Sequence, residues 1–82
     1  MDDKNILSNL KTGDKRVILM FAKANMSVSK AARLAYLSRQ AVWWRLNRVK
    51  RDTGFDPFEF HDLARLVRVI EEERREYDGQ QQ

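Results

Sequence analysis

An all-α domain of four to five helices is the fold class this sequence predicts, and three features predict it. Breakers are sparse, with three glycines and one proline in 82 residues. No stretch sustains the period-two alternation of β-branched residues that a half-buried strand requires. Apolar residues recur instead at three- and four-residue spacing, the period of a helix with one face turned inward.

Residues 2–10 read as a short helix with Ile6, Leu7 and Leu10 on one side. Thr12 and Gly13 are expected to break it, and Asp14 to cap the next helix. Over residues 15–24, Val17, Ile18, Met20, Phe21 and Ala24 form a broad apolar face, so this helix is expected to be the domain's central support. Ser27 or Ser29 can then cap a short alanine-rich helix over about 30–35. Tyr36, Leu37 and Ser38 interrupt it without glycine or proline, and Ser38 can cap a fresh helix over 39–51. Gly54 suits the left-handed position that ends that helix. Residues 55–58 read as a turn, with Pro57 acceptable as the first residue of a helical turn. The last helix is expected over 59–77, with Phe60, Leu63, Val67, Ile70 and Tyr77 at helical spacing and Leu66 beside them. One domain over 1–78 and a disordered tail over 79–82 complete the expected organisation.

The order short helix, three-residue turn, longer helix over residues 27–50 is that of a helix-turn-helix inside a tri-helical core. Such a unit needs small inward residues on its first helix, here Ala32 and Ala35, and an apolar residue in the turn, here Leu37. Its second helix needs an inward ridge, supplied by Val42, Leu46 and Val49. With Val42 at zero and roughly 100° per residue, Leu46 and Val49 fall within about 40° of the core direction. Gln40, Trp44, Asn47 and Arg51 fall on the far side, and Arg48 at its edge. Amides can read adenine edges, guanidinium groups can read guanine or grip phosphate, and an aromatic ring can meet a thymine methyl or a sugar. Arg39 and Gln40 stand at the helix start, the part that enters the major groove in such units. That end also offers open N–H groups to a phosphate.

Charge agrees with this. Residues 1–56 carry twelve Lys/Arg against five Asp/Glu, and residues 57–82 carry four against seven. Between Lys30 and Arg51 there are seven basic residues and no acid. Such a block either steers a polyanion or is a solvated helix face. The candidate DNA-contacting residues are Ser27, Ser29, Lys30, Ser38, Arg39, Gln40, Trp44, Asn47, Arg48 and Arg51. Arg45 either grips phosphate or bridges to an acid such as Asp52 or Asp62. Trp43 is expected to pack at the flank against Phe55 or Phe58, and Trp44 to face DNA or a second protein chain.

Three ordered pieces also carry a family resemblance: Ser-Val-Ser-Lys-Ala-Ala-Arg at 27–33, Leu-Ser-Arg-Gln-Ala-Val-Trp-Trp-Arg-Leu at 37–46, and Arg-Val-Lys-Arg-Asp-Thr-Gly-Phe-Asp at 48–56. They resemble the C-terminal helix-turn-helix of PucR/CdaR-type bacterial transcription regulators and, more distantly, the Fis-type unit. The likeness covers roughly residues 15–70. It implies sequence-specific binding of double-stranded DNA in transcriptional regulation. Gln40 and Ala41 stand where that family usually has Asn-Thr, Trp44 where it commonly has tyrosine, and Tyr36 where many such units keep glycine. These departures imply a different operator.

The other function classes are narrowed by what the sequence lacks. Without cysteine there is no disulfide framework and no thiolate metal site. His61 is the single histidine and reads as a first-turn surface or capping residue. The longest apolar run, over 17–22, is too short for a membrane span. A soluble, cytoplasmic protein with no cofactor, no metal and no membrane partner is expected. No acid–base or nucleophile constellation favours an enzyme. Two binding classes stay open: a DNA-binding regulator, with homodimerisation through helix 59–77, and a protein-interaction or assembly module of phage or mobile-element type on the same fold.

Overall fold

The computed structural model describes residues 3–80, with side chains from 4 to 75. Five helices follow in order: α1 (Asp3–Ser8), α2 (Thr12–Lys23), α3 (Val28–Ala35), α4 (Arg39–Thr53) and α5 (Phe60–Gln80). The described residues contain no strand, so the chain is all-α as its periodicity predicts. No helix among them is long and apolar enough to cross a membrane.

Helix α2 is the hub, packing on α3, α4 and α5, while α1 rests on α5. Val17, Ile18 and Phe21 are buried along its inner stripe. Against them stand the ridge Val42, Leu46 and Val49, all at most 1% exposed. Buried Ala31, Ala32 and Ala35 give α3 a shallow surface, so its backbone can approach closely. Leu37, in the turn, is half-buried against the same cluster. Burying a ridge side chain contributes roughly 1.5–3 kcal/mol relative to exposure, which is why these positions anchor α4.

The start of α2 differs from the expected one. Thr12 and Gly13 lie within its first turn, and Lys11 holds the N-cap position without a side-chain cap. Asp14 is therefore no cap. It lies three residues before Val17 and four before Ile18, on the same inward stripe, and is 1% exposed.

Local chemistry sets the boundaries of the next two helices. Ser27 Oγ accepts the Lys30 N–H at 3.2 Å, and Ser38 Oγ accepts the Ala41 N–H at 3.0 Å. Of the two candidate serines, Ser27 is thus the cap of α3. Tyr36 ends α3 in the left-handed region at φ 57°, a strain of about 1 kcal/mol for a non-glycine residue. Two interactions hold it: the Leu37 N–H donates to Ala32 O at 2.9 Å, and Arg16 Nη1 on α2 donates to Ala35 O at 3.1 Å. Gly54 closes α4 at φ 80°, where a side chain would be strained.

Helix α5 starts one residue later than expected because Glu59 caps it, accepting the His61 and Asp62 N–H groups at 3.2 and 2.9 Å. His61 lies exposed in that first turn, edge-on to Phe60. The buried face of α5 carries Leu63, Leu66, Val69 and Ile70. It is turned relative to the expected stripe: Phe60 is 64% exposed and Val67 only half-buried. Helix α5 packs on two helices, α1 and α2, and its inward face includes Leu66 and Val69 beside Leu63 and Ile70. The side chain of Tyr77 lies outside the described residues. Helix α5 runs to Gln80, into the stretch 79–82 expected as a tail; residues 81 and 82 lie outside the described residues.

Candidate nucleic-acid interface

One carboxylate organises the flank of α4 that faces α2. Asp14 receives Arg48 in a two-pronged bond, Nε to Oδ2 at 2.9 Å and Nη2 to Oδ1 at 2.7 Å. Arg45 Nη1 adds a longer contact to Oδ1 at 3.5 Å. Planar guanidinium and planar carboxylate match in this geometry, which makes it the stronger form of ion pair. The hydrogen bonds to Asp14 hold the Arg48 pKa above its ordinary value, outweighing the opposing effect of desolvation. A raised pKa means the contact is fully present below the ordinary value and is lost only as pH rises through the raised one. Arg48 therefore stays charged across all ordinary conditions.

Two arginines of α4 thus take a partner on α2. The Arg48 side chain, expected at the edge of the outward face, is 16% exposed and bonded to Asp14 through Nε and Nη2. Arg45 does bridge to an acid, but to Asp14 rather than Asp52 or Asp62. Arg45 also passes so close to Gly13 that a Cβ there would meet its Nη1 at 2.8 Å.

Arg48 in turn fixes Trp44, its guanidinium carbon lying 4.7 Å from the ring centroid. Trp44 remains 54% exposed, and so does Trp43. The expected flank packing of Trp43 does not form. Phe58 is taken by Phe21, edge-on at 5.5 Å, and Phe55 lies beneath Arg65 at 5.5 Å.

The other candidates divide by how free they are. Arg39 and Gln40 are exposed, and neither makes a hydrogen bond or ion pair through its side chain among the described residues. The backbone N–H groups of these two first-turn residues also have no partner there, whereas Ala41 is satisfied by Ser38. Asn47 is half-buried and its Nδ2 donates to Trp43 O at 2.8 Å, which leaves its carbonyl oxygen as the open group. Arg51 is 71% exposed, with one loose contact to Asp52 at 3.4 Å. Ser29 and Lys30 are exposed on the first turn of α3. Ser27 and Ser38 accept through their oxygens as caps, and each hydroxyl keeps its proton to donate.

Between α3 and the start of α4 the surface is concave. Ser29, Ala32, Arg33, Leu37 and Arg39 line a notch of about 360 Å³ with two guanidinium side chains beside it. Arg33 is a candidate absent from the sequence-derived set. It is exposed and four residues beyond Ser29, so helical spacing alone puts the two on one face. The notch can receive a phosphate between Arg33 and Arg39, next to the uncapped N–H groups of α4.

A second concavity lies away from α4. Ala22, Asn25, Met26, Phe60, Leu63, Ala64, Val67, Arg68 and Glu71 line a largely apolar groove of about 330 Å³ between α2 and α5. Among the described residues no group of three or more His, Cys, Asp or Glu is placed to hold a metal ion.

No protein-family model, curated protein or solved structure matches this chain.

Proposed function

We propose that the protein binds double-stranded DNA sequence-specifically, with α4 as the major-groove helix, and acts as a small transcriptional regulator. The observation that carries this is the division of α4: its basic residues are tied down on the flank facing α2 and unpaired at its N-terminal start. Arg39 and Gln40 stand at the end of the helix that enters the groove in helix-turn-helix units, free to reach base edges. The notch between Arg33 and Arg39 supplies a phosphate grip beside them. The exposed basic residues of the block from Lys30 to Arg51 that Asp14 does not hold, Lys30, Arg33, Arg39 and Arg51 among them, supply attraction. The resemblance to PucR/CdaR-type helix-turn-helix domains points the same way.

Salt dependence tests the proposal. Neutralising about five phosphates gives a log–log slope of affinity against salt near −4.5, at −0.9 per phosphate. A slope of that order on duplex DNA is expected in fluorescence-anisotropy titrations. No measurable affinity at low salt would refute it.

A second reading, an assembly module on the same fold, draws on the exposed Phe60 beside the apolar α2–α5 groove. Under the DNA-binding proposal the same face pairs two copies through α5, so that two α4 helices meet successive half-sites. Light scattering separates monomer from dimer.

A further inference from the structure

Among the described residues, Trp44 is the one large apolar group on the outward face of α4, and it lies against a neighbour that is itself anchored. Asp14, buried in the core, fixes Arg48 through two bonds of 2.7 and 2.9 Å, and Arg48 lies over the Trp44 ring at 4.7 Å. The indole is thus the outer end of a relay that starts on α2. Trp43 diverges from it by one residue's rotation, about 100°, so only Trp44 shares the outward face with Gln40 and Arg51. Half of the Trp44 surface stays in water, and Arg48 occupies a ring face.

What such a surface can recognise in a major groove is narrow. The base edges there present hydrogen-bond donors and acceptors with one exception, the methyl group on C5 of a pyrimidine. The face of the indole gains from an apolar partner and gains little from a donor or acceptor that must give up water to meet it; the ring's single donor, Nε1–H, lies on its edge. The polar neighbours Arg39, Gln40 and Arg51 cover the remaining chemistry of the groove.

We infer that α4 selects duplexes carrying a C5-methylated pyrimidine, thymine or 5-methylcytosine, at the position Trp44 meets. This rests on the proposal that α4 enters the major groove.

The test uses the full chain and duplexes it selects from two random pools, one of ordinary bases and one with 5-methylcytosine in place of cytosine. Each selected duplex is then remade with deoxyuridine for thymine, and with cytosine for 5-methylcytosine. Removing the methyl that Trp44 meets is expected to weaken binding by about fourfold, the transfer value of one buried methyl group. Loss on the uracil arm names thymine as the source, and loss on the cytosine arm names 5-methylcytosine. In Trp44→Ala the methyl-bearing and methyl-free duplexes should bind alike, while the salt slope stays. Equal binding of the methyl-bearing and methyl-free duplexes by the unsubstituted protein overturns this inference and leaves DNA binding standing. So does a methyl effect that survives in Trp44→Ala, since another group would then be reading it. Failure to bind either pool overturns DNA binding and this inference together.

Discussion

The two flanks of α4 use the same residue types for opposite purposes. On the side facing α2, Arg45 and Arg48 converge on buried Asp14, and their charge serves the fold. At the open start, Arg39 has no partner among the described residues and its charge is available to a ligand. The difference is made by one carboxylate on another helix. An arginine-rich helix is thus not one basic surface; counting its charges overstates what it can offer to a polyanion.

The contrast breaks most visibly at Asp14. Replacing Asp14 with alanine leaves Arg48 part-buried and unpaired, a change that costs on the order of 3–5 kcal/mol. A domain of this length has roughly 4–12 kcal/mol in total, at 0.05–0.15 per residue, so the variant should be partly unfolded or close to it. Urea denaturation should show the midpoint fall steeply; a shift within experimental error would mean the ion pair is solvated and the two flanks are alike.

Arg39→Ala probes the other side. Unfolding should change by no more than about 0.5 kcal/mol, as for an exposed side chain without partners. Specific DNA binding should weaken by about 1–3 kcal/mol if Arg39 holds a base edge. A uniform loss across all sequences would make it a phosphate contact instead. Comparable destabilisation from Asp14→Ala and Arg39→Ala would erase the distinction.

Two smaller effects sharpen the frame around α4. Ser38→Ala removes the cap that receives the Ala41 N–H and should cost about 1 kcal/mol in thermal or chemical unfolding. Tyr36→Gly relieves the left-handed strain, a gain of up to about 1 kcal/mol that is offset in part by the greater freedom of glycine in the unfolded chain. Since Tyr36 is 90% exposed, no packing is lost with it. A marked loss of stability in Tyr36→Gly would show that the ring does more than end α3.

The fold is legible in the sequence wherever information is local. The 3.6-residue period places Val42, Leu46 and Val49 inward, and serine caps mark where α3 and α4 begin. Asp14 misleads because an aspartate before an apolar helix is also the local mark of a cap. The signal against a cap is present: Asp14, Val17, Ile18 and Phe21 share one stripe at spacings of three, four and seven, so the acid has to be buried and paired. Its partners stand 31 and 34 residues away, a separation that periodicity cannot bridge. Trp43 misleads for a related reason, since its expected partners Phe55 and Phe58 are engaged by Arg65 and Phe21. The freedom of Arg39 and the commitment of Arg48 look identical in sequence; only the tertiary contact separates them.

Amide and indole chemical shifts on titration with duplex DNA test most directly whether the start of α4 is the DNA-binding surface. Shifts should concentrate at Ser29, Arg33, Arg39, Gln40 and the Trp44 indole, while Met26, Leu63 and Val67 of the α2–α5 groove stay still at constant oligomeric state. Shifts confined to the groove, with α4 unmoved in a complex confirmed by anisotropy, would contradict it.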